Sequence, residues 1–281
     1  MGEARGRSVL ITGCSSGIGL DSARALQARG WRVLATCRAA EDAARLEAEG
    51  LESFALDLAC AESVAAGAAE ALARTGDRLD AVFNNGAYAI PGAAEDLPRD
   101  ALRAIFETNF FGQVDLTNRL LPAMRRAGAG RVVMNSSVLG LMATPWRAAY
   151  VATKYALEGF TDTLRLELRG SGVQVSLIEP GPIATPFRRK AIPHFERWID
   201  WRASPHAARY ESVLLKRLYA PEGAKKDRFQ LPPSAVTEKL VHALESARPA
   251  ARYYVTRSTW IAEGMRRFLP TGLRDAVAAR L

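Results

Sequence analysis

The chain has 281 residues, 48% of them hydrophobic and 24% charged, and carries a net charge of +8. This composition is typical of a globular protein with a sizeable core, and no apolar run reaches the roughly 18 residues that predict a membrane-spanning helix. The charged opening MGEARGR lacks the apolar stretch of a secretory signal. The three cysteines and three histidines are scattered and lack zinc or disulfide spacing, so we expect a cytoplasmic protein with free thiols and no metal.

The charge is unevenly distributed along the chain. Residues 1–185 hold 19 basic and 21 acidic side chains, whereas residues 186–281 hold 19 basic and 9 acidic ones. A basic excess of this kind can indicate nucleic acid, an anionic membrane or a phosphorylated ligand as the partner. The sequence contains no helix-turn-helix and no aromatic-basic strand pattern, so we expect no nucleic-acid partner.

Short β-like runs alternate with helical stretches over the first two thirds of the chain. The runs are SVLIT (8–12), WRVLAT (31–36), SFALDL (53–58), LDAVFNN (79–85), GRVVMNSS (130–137) and VQVSLIEPG (173–181). Helical crossovers between apolar strands predict a doubly wound, Rossmann-type α/β fold with a parallel sheet. Ligands bind at the carboxyl ends of such strands. The polar residues expected to line that edge are Thr12, Arg38, Asp57, Asn84, Asn85, Ser136 and Ser137.

The first run leads into a glycine-rich turn. Gly13, Gly17 and Gly19 in TGCSSGIG (12–19) open a helix that we expect at about 17–29. Glycine permits a sharp turn and the close approach of a phosphate, and the free amides of a helix start bind anions. In this strand–turn–helix context the pattern predicts a dinucleotide site; the competing interpretation is a simple tight turn.

The second run ends in ATCR (35–38) and not in an acidic residue. Sites that prefer NAD usually carry an acid here, which binds the ribose 2′-hydroxyl. Arg38 suits the 2′-phosphate of NADP instead, so we predict NADP as the preferred cofactor, with NAD as the alternative. A solvated arginine is the competing interpretation.

Tyr150 and Lys154 in YVATK lie one helical turn apart, shortly after the polar run NSSV (135–138). A free tyrosine has a pKa near ~10 and is a poor acid at neutral pH. A cation within one turn favours the phenolate and lowers that pKa. The pair therefore predicts a tuned proton donor, with an ordinary surface pair as the alternative.

With these motifs identified, residues 7–185 resemble the short-chain dehydrogenase/reductase family. Further parts of its pattern follow in order: NNGA (84–87), Asn109 in TNFFG, Ser137 and PGPIAT (180–185). NNGA departs from the usual NNAG, which weakens the assignment of Asn85. The motifs look like the branch of hydroxysteroid and retinol dehydrogenases, with the greatest likeness to bacterial NADP-dependent aldehyde reductases.

The resemblance implies a role for each matching residue. Tyr150 would exchange a proton with the substrate oxygen, and Ser137 would orient that oxygen. Lys154 would also hold the nicotinamide ribose, and Asn109 would hold a water that relays protons. The cofactor-binding residues that the resemblance implies are Gly13, Ser15, Ser16, Gly17, Ile18, Gly19, Arg38, Asp57, Leu58, Asn85, Gly86, Tyr150, Lys154, Pro180, Gly181, Ile183 and Thr185.

Two of these assignments compete with local structural explanations. Asp57 would meet the adenine amino group, but it could also be a turn residue at the end of a strand. Thr185 would contact the nicotinamide carboxamide, but it could also cap a helix.

Residues 186–230, which we name the lid segment, interrupt the strand–helix alternation. Its aromatic and leucine residues recur three or four apart, as on amphipathic helices. The stripe either packs on the domain or forms a mobile cover over an apolar pocket. Few fixed polar groups occur there, so we expect long aliphatic, aromatic, retinoid or steroid-like carbonyl or alcohol substrates. The stripe contains Phe187, Phe195, Trp198, Trp201, Tyr210, Leu214, Leu215, Leu218 and Tyr219.

Residues 256–281 form a predicted C-terminal helical extension of the single domain. Apolar residues from Trp260 to Leu281 recur three or four apart beside arginines, with a break expected at Pro270 and Gly272. Packing on the same domain or on a partner subunit is the favoured interpretation; weak, peripheral membrane contact is the alternative. By resemblance we expect a homodimer or homotetramer, formed through helices around 108–127 and 149–169.

A different class of function is also conceivable from the sequence. The chain could be a non-catalytic, dinucleotide-sensing binding protein with a basic C-terminal third. Such a protein would be expected to lose Tyr150 or Lys154, and both are present. The sequence therefore favours an enzyme.

Overall fold

The computed structural model describes residues 6–221 and 227–280. Its centre is a seven-stranded parallel sheet in the order β3-β2-β1-β4-β5-β6-β7. The strands are β1 (Ser8–Thr12), β2 (Arg32–Cys37), β3 (Glu52–Ala55), β4 (Ala81–Asn84), β5 (Gly130–Asn135), β6 (Val173–Glu179) and β7 (Arg252–Tyr254). The chain order reverses between β1 and β4, which is the point where ligands bind in doubly wound sheets.

Helices cover both faces of the sheet. They are α1 (Gly17–Ala28), α2 (Ala40–Ala48), α3 (Ala61–Thr75), α4 (Arg99–Phe106), α5 (Gly112–Ala127), α6 (Ala148–Glu167), α7 (Phe187–Lys190), α8 (Ile192–Trp198), α9 (Ala207–Arg209), α10 (Lys216–Leu218), α11 (Ser234–Glu245), α12 (Arg257–Phe268) and α13 (Thr271–Ala278). Two π-helical stretches, Glu107–Phe111 and Tyr210–Leu215, join α4 to α5 and α9 to α10.

Side chains that alternate between the two faces of the sheet form two apolar cores, one on each face. In β1, Val9 and Ile11 face one apolar cluster with α1, α2 and α11, whereas Leu10 faces a second cluster with α3, α5 and α6. Successive side chains point to opposite faces of a strand, so a continuous apolar run is buried on both sides. The predicted Rossmann-type fold is confirmed, and the six predicted strands occur with ends shifted by up to three residues.

The seventh strand, β7, escaped prediction. Its three residues pair in parallel with β6, Ile178 opposite Tyr253. A strand this short, at the edge of the sheet, carries too few positions for a periodic pattern to be recognised.

The lid segment folds into short helices, α7 to α10, and its residues 222–226 lie outside the described part of the chain. Phe195, Tyr210, Leu214 and Leu218 are buried in a third cluster, which also contains Tyr150. Backbone pairing of Ile183 with Leu231 brings the two ends of the segment together. The stripe therefore packs on the domain as the first interpretation holds, and it does so around the predicted catalytic tyrosine.

The C-terminal extension forms two helices that meet at Pro270. The prediction of a break at Pro270 is correct, but Gly272 lies inside α13. Trp260 and Phe268 are 61% and 81% exposed, and α13 buries no residue. Trp260 nevertheless lies edge-on to Tyr254 with 4.7 Å between ring centres, and α12 buries Thr259, Ala262 and Glu263. The start of the extension therefore packs on its own domain in part, whereas Phe268, Leu273 and Val277 stay largely exposed; Leu281 lies outside the described residues. No helix in the described ranges is long and apolar enough to cross a membrane.

Candidate active site

Thr12, the last residue of β1, ties two strand ends together. Its hydroxyl accepts hydrogen bonds from the backbone amides of Asn85 and Gly86, each at 2.9 Å. The Asn85 side chain donates to the Thr12 carbonyl at 2.9 Å and accepts from Asn135 at 2.8 Å. The side chain of Asn85 thus connects the loops at the ends of β1, β4 and β5. The exchanged order of Gly and Ala in NNGA leaves the backbone amides of Asn85 and Gly86 both hydrogen-bonded to Thr12.

The glycine turn has the backbone that its sequence predicts. Gly13 and Gly17 adopt positive φ values of 73° and 58°, which only glycine adopts without strain. A Cβ on Gly19 would lie 2.4 Å from the Gly13 carbonyl oxygen. The turn therefore folds back closely onto the start of α1, where only glycine fits, and the first amides of this helix suit the pyrophosphate of a dinucleotide.

The segment PGPIAT lies beside this turn. A Cβ on Gly17 would lie 3.1 Å from the Thr185 methyl group, and one on Gly181 would lie 2.1 Å from the Thr256 hydroxyl oxygen. Pro180 is buried, and its carbonyl accepts from the Val138 amide at 2.7 Å. Ile183 and Ile18 pack at the border of the first core. Of these contacts, the one between Thr185 and Gly17 joins the segment directly to the turn.

Tyr150 and Lys154 occupy one face of α6, both with buried side chains. The Lys154 ammonium donates to the Asn135 carbonyl at 2.7 Å and lies 5.5 Å from the centre of the Tyr150 ring. The alternative of an ordinary surface pair is wrong, because Lys154 is only 1% exposed.

Burial dominates the ionisation of both groups. It raises the pKa of Tyr150 to about 12, against the opposing effects of the neighbouring Ser137 hydroxyl and the charge of Arg147. It lowers the pKa of Lys154 to about 8, which Glu158 partly opposes. The expectation that the Tyr150 pKa is lowered is wrong for the protein alone, because losing water destabilises the phenolate more than nearby cations stabilise it.

Ser137 and Asn109 approach the pair from β5 and from the π-helical turn before α5. The Ser137 hydroxyl accepts from the Leu139 amide at 3.1 Å. The Asn109 amide donates to the Tyr88 carbonyl at 2.9 Å and to Thr153 at 3.3 Å, and its oxygen accepts from the Tyr88 amide at 3.0 Å. The Asn109 side chain therefore links the β4 loop to α6, and the predicted relay water remains a prediction.

The residues predicted at the adenosine end lie around β2 and β3. Arg38 is exposed after β2, and within the described ranges it makes no ion pair. Cys37 is buried, which raises the pKa of its thiol to about 11. Asp57 accepts from the Ala59 amide at 3.0 Å, the contact of a turn residue. The Leu58 side chain is buried in the second core, so only its backbone could face a ligand.

Two residues predicted to line the sheet edge point into the fold. The Asn84 amide is buried and donates to Thr117 at 2.9 Å, and the Ser136 hydroxyl is buried next to Gly140. Adjacent strand residues face opposite sides, so Asn85 and Ser137 reach the edge where their neighbours cannot.

Sequence reasoning missed Lys190, the last residue of α7. Its ammonium donates to the hydroxyls of Ser15 and Ser16 at 3.1 and 2.7 Å. No fixed spacing joins the lid segment to the glycine turn, so no sequence signal could have found this contact.

Aromatic rings border the approach to Tyr150. The Phe187 ring lies edge-on to Tyr150 with 5.5 Å between centres, and His194 stacks on Tyr88 at 4.0 Å. The mouth of the site is consequently aromatic, while the proton-transferring groups lie at its base.

The sequence is similar to those of several known oxidoreductases. The family model described as short chain dehydrogenase matches residues 7–195. An uncharacterized oxidoreductase, YbbO of Escherichia coli, is 42% identical over 276 residues, covering 98% of this chain and 95% of that protein. Human 17-beta-hydroxysteroid dehydrogenase type 1 is 36% identical, with 93% and 78% coverage, and human retinol dehydrogenase 8 is 34% identical, with 88% and 80%.

Among solved structures, a short-chain dehydrogenase from Streptomyces avermitilis superposes with a TM-score of 0.78 at 30% identity. The match covers 99% of this chain and 94% of that one. The predicted resemblance, including its hydroxysteroid and retinol dehydrogenase branch, is confirmed. The chain belongs to the short-chain dehydrogenase family of oxidoreductases.

Proposed function

We propose that this oxidoreductase transfers hydride between NADP(H) and an apolar carbonyl or alcohol, with Tyr150 as the general acid and base. The observation that carries the proposal is the buried Tyr150–Lys154 pair on α6, with Ser137 next to the tyrosine and the glycine turn at the same edge of the sheet. A nicotinamide cofactor supplies the hydride when it is bound. Side chains of this protein transfer the proton and orient the substrate.

Tyr150 donates its proton to the carbonyl oxygen during reduction and takes one back during oxidation. Burial raises the pKa of Tyr150 to about 12 in the protein alone, so the phenol keeps its proton at neutral pH, and proton transfer requires that the resulting phenolate be stabilised. Ser137 positions the substrate oxygen by a hydrogen bond. The ammonium of Lys154 lies one turn away, and its charge stabilises the phenolate that forms at Tyr150.

Arg38 supports the preference for NADP over NAD. It stands at the end of β2, where a 2′-phosphate would lie in this fold, and it is exposed with no acidic partner among the described residues. Cys37, the position before it, offers no carboxylate to a 2′-hydroxyl.

The aromatic mouth supports an apolar substrate. Phe187 and Tyr88 border the approach, and the third cluster surrounds Tyr150 with apolar side chains. Relatives named for retinol and for a hydroxysteroid are consistent with long aldehydes, retinoids or steroid-like molecules as the substrate class.

The decisive experiment is NADPH oxidation against a series of aldehydes of increasing chain length. We expect turnover, with KM falling up to about fourfold for each buried methylene, since each contributes at most ~0.8 kcal/mol. A flat KM series would rule out an extended apolar pocket. Binding of NADPH without turnover of any member would favour the non-catalytic dinucleotide sensor.

The C-terminal face suggests a location for the enzyme. Trp260, Ile261, Phe268, Leu273 and Val277 are exposed on α12 and α13, next to arginines 257, 266, 267, 274 and 280. We include in the proposal a cytoplasmic enzyme with weak, salt-sensitive contact to anionic lipid through this face. The same exposed residues would also suit a contact with a partner subunit in a homodimer or homotetramer.

A further inference from the structure

We propose that Glu158 is a positioning residue for this reaction. Its carboxylate lies one helical turn after Lys154 and keeps Lys154 in the ammonium form, while Arg252 of β7 keeps that carboxylate charged. The inference rests on the proposed function, because it assigns Glu158 a role that acts through Lys154.

Ionisable side chains recur every four residues along α6. Tyr150, Lys154 and Glu158 all belong to its buried face, and Asp162 follows one turn later with a side chain that is 40% exposed. Residues four apart on a helix have Cβ atoms about 5–6 Å apart. The row therefore leads from the proposed proton donor to the protein surface, and each group is a neighbour of the next.

The contacts of Lys154 supply no negative charge of their own. Lys154 is 1% exposed, and its ammonium donates to the carbonyl of Asn135, a neutral acceptor, at 2.7 Å. Burial lowers the pKa of Lys154 to about 8, and the charge of Glu158 opposes this shift. Without Glu158 a larger fraction of Lys154 would be neutral near physiological pH, and a neutral amine does not stabilise a phenolate at Tyr150.

The charge of Glu158 is in turn held by Arg252. Glu158 is 7% exposed, and burial raises its pKa, which the charge of Arg252 opposes. Oε2 of Glu158 accepts from the Arg252 guanidinium, which also bonds Asp162 at 2.6 Å and Glu179 at 2.8 Å. Glu179 keeps its proton at neutral pH, because burial raises its pKa to about 8. The positive charge of Arg252 therefore stabilises Glu158 and Asp162.

The other oxygen of Glu158 lies toward the strand end that holds Lys154. A Cβ on Gly140 would lie 3.0 Å from Glu158 Oε1 and 2.7 Å from Ser136 Oγ. Neither of these two oxygens has a hydrogen-bond partner among the described residues. Ser136 directly follows Asn135, whose carbonyl accepts from Lys154. The carboxylate therefore reaches from Arg252 to the end of β5, where the lysine is held.

Several elements contribute titratable groups around Glu158. Tyr155 and Asp162 lie on α6, Glu179 ends β6, Arg252 lies on β7, and Arg266 of α12 and Arg274 of α13 act on Tyr155. Glu158 is the member of this group whose charge acts on Lys154. It is therefore the residue to change.

The first readout is the pH profile of kcat/KM for NADPH oxidation with an aldehyde, measured from pH 6 to 10. In the wild type, its alkaline limb should report loss of a proton from the coupled Tyr150–Lys154 pair. Removing a negative charge disfavours the ammonium. Glu158→Gln should therefore move the limb about one pH unit lower, as expected for a unit charge one turn away in a protein interior.

Two variants serve as controls. Asp162→Asn removes a carboxylate from the same guanidinium, one turn farther from Lys154, and should leave the alkaline limb in its wild-type position. Glu158→Asp keeps the negative charge and should keep most of the wild-type profile.

The second readout needs neither cofactor nor turnover. The chain has six lysines, so the ¹³Cε resonance of Lys154 can be followed by NMR and identified by its loss in Lys154→Arg. Its titration midpoint should also fall by about one pH unit in Glu158→Gln.

Glu158→Gln leaves Asp162 and Glu179 bonded to Arg252, so the guanidinium keeps partners, and circular dichroism checks the fold. Glu158→Met removes the same charge with a different side chain and should give the same two shifts. A loss of rate that is equal at every pH, with the limb and the NMR midpoint unmoved in both variants, would show that Glu158 is structural and would overturn the proposal. A wild type that turns over no aldehyde would refute the proposed function, and the NMR midpoint alone would then test whether Glu158 keeps Lys154 charged.

Discussion

Glu179, at the end of β6, makes a specific prediction about how stability depends on pH. Its side chain is fully buried and accepts from Arg252 at 2.8 Å, and Arg252 also bonds Glu158 and Asp162. One guanidinium thus serves three carboxylates. Burial, and then the charge of Glu158, raises the pKa of Glu179 from 4.5 to about 8, despite Arg252.

The sign and size of the effect follow from this value. Between pH 4.5 and about 8 the folded chain keeps the Glu179 proton while the unfolded chain releases it, so the free energy of unfolding falls as the pH rises through this window. At about 1.4 kcal/mol per pH unit, the loss is at most ~5 kcal/mol. Relaxation around the buried charge reduces it, and we expect about 2–5 kcal/mol.

Glu179→Gln removes the titrating group and keeps an oxygen for Arg252. Urea unfolding at pH 5, 6, 7 and 8 should show the variant within about 1 kcal/mol of the wild type at pH 5 and progressively more stable than it toward pH 8. The control is Asp162→Asn, a half-exposed partner of the same guanidinium, which should keep the wild-type slope. Parallel curves for the wild type and Glu179→Gln would refute the assignment of a protonated, buried Glu179.

Three further substitutions address the site and the C-terminal face. Arg38→Leu should lower kcat/KM for NADPH by about tenfold or more and leave that for NADH nearly unchanged, because only NADPH presents a 2′-phosphate. Phe187→Ala should raise KM for long aldehydes more than for short ones, as steady-state kinetics would show, because the apolar wall over Tyr150 is lost. The double variant Trp260→Ser with Phe268→Ser should no longer sediment with anionic vesicles at low salt.

Each of these results has an outcome that contradicts it. An unchanged NADPH-to-NADH ratio in Arg38→Leu would remove the arginine from the cofactor site. An equal rise in KM for all chain lengths would place Phe187 away from the substrate tail. Val213→Ser, which changes an exposed apolar residue of the lid segment, is the control for the vesicles. If the wild type is oligomeric and the Trp260–Phe268 double variant is monomeric, the C-terminal face is a subunit interface.

Sequence periodicity predicted the sheet and its ligand-binding edge because each strand is a buried apolar run and each crossover helix has a clear face. It also placed the glycine turn, where positive φ at Gly13 and Gly17 requires glycine. Periodicity did not determine which residue of Asn84–Asn85 or of Ser136–Ser137 faces the site, because the position at which a strand ends can shift by one residue. Asn84 and Ser136 were placed wrongly for that reason.

Other features depend on contacts between distant segments. Lys190 meets Ser15 and Ser16 only through the path of the lid segment, and Arg252 meets Glu158 and Glu179 only because β7 lies beside β6. The direction of the Tyr150 pKa was wrong because the helical spacing to Lys154 is visible in the sequence whereas the burial of both groups is not.

The central claim is that Tyr150 exchanges the proton with the substrate oxygen, and Tyr150→Phe tests it most directly. The variant keeps the ring against Phe187 and loses only the hydroxyl. NADPH oxidation with the best aldehyde should fall by at least about a hundredfold, the lower range for a general acid, while the NADPH Kd stays within about threefold of the wild type. A variant that binds NADPH normally and keeps more than about a tenth of the wild-type rate would contradict the claim.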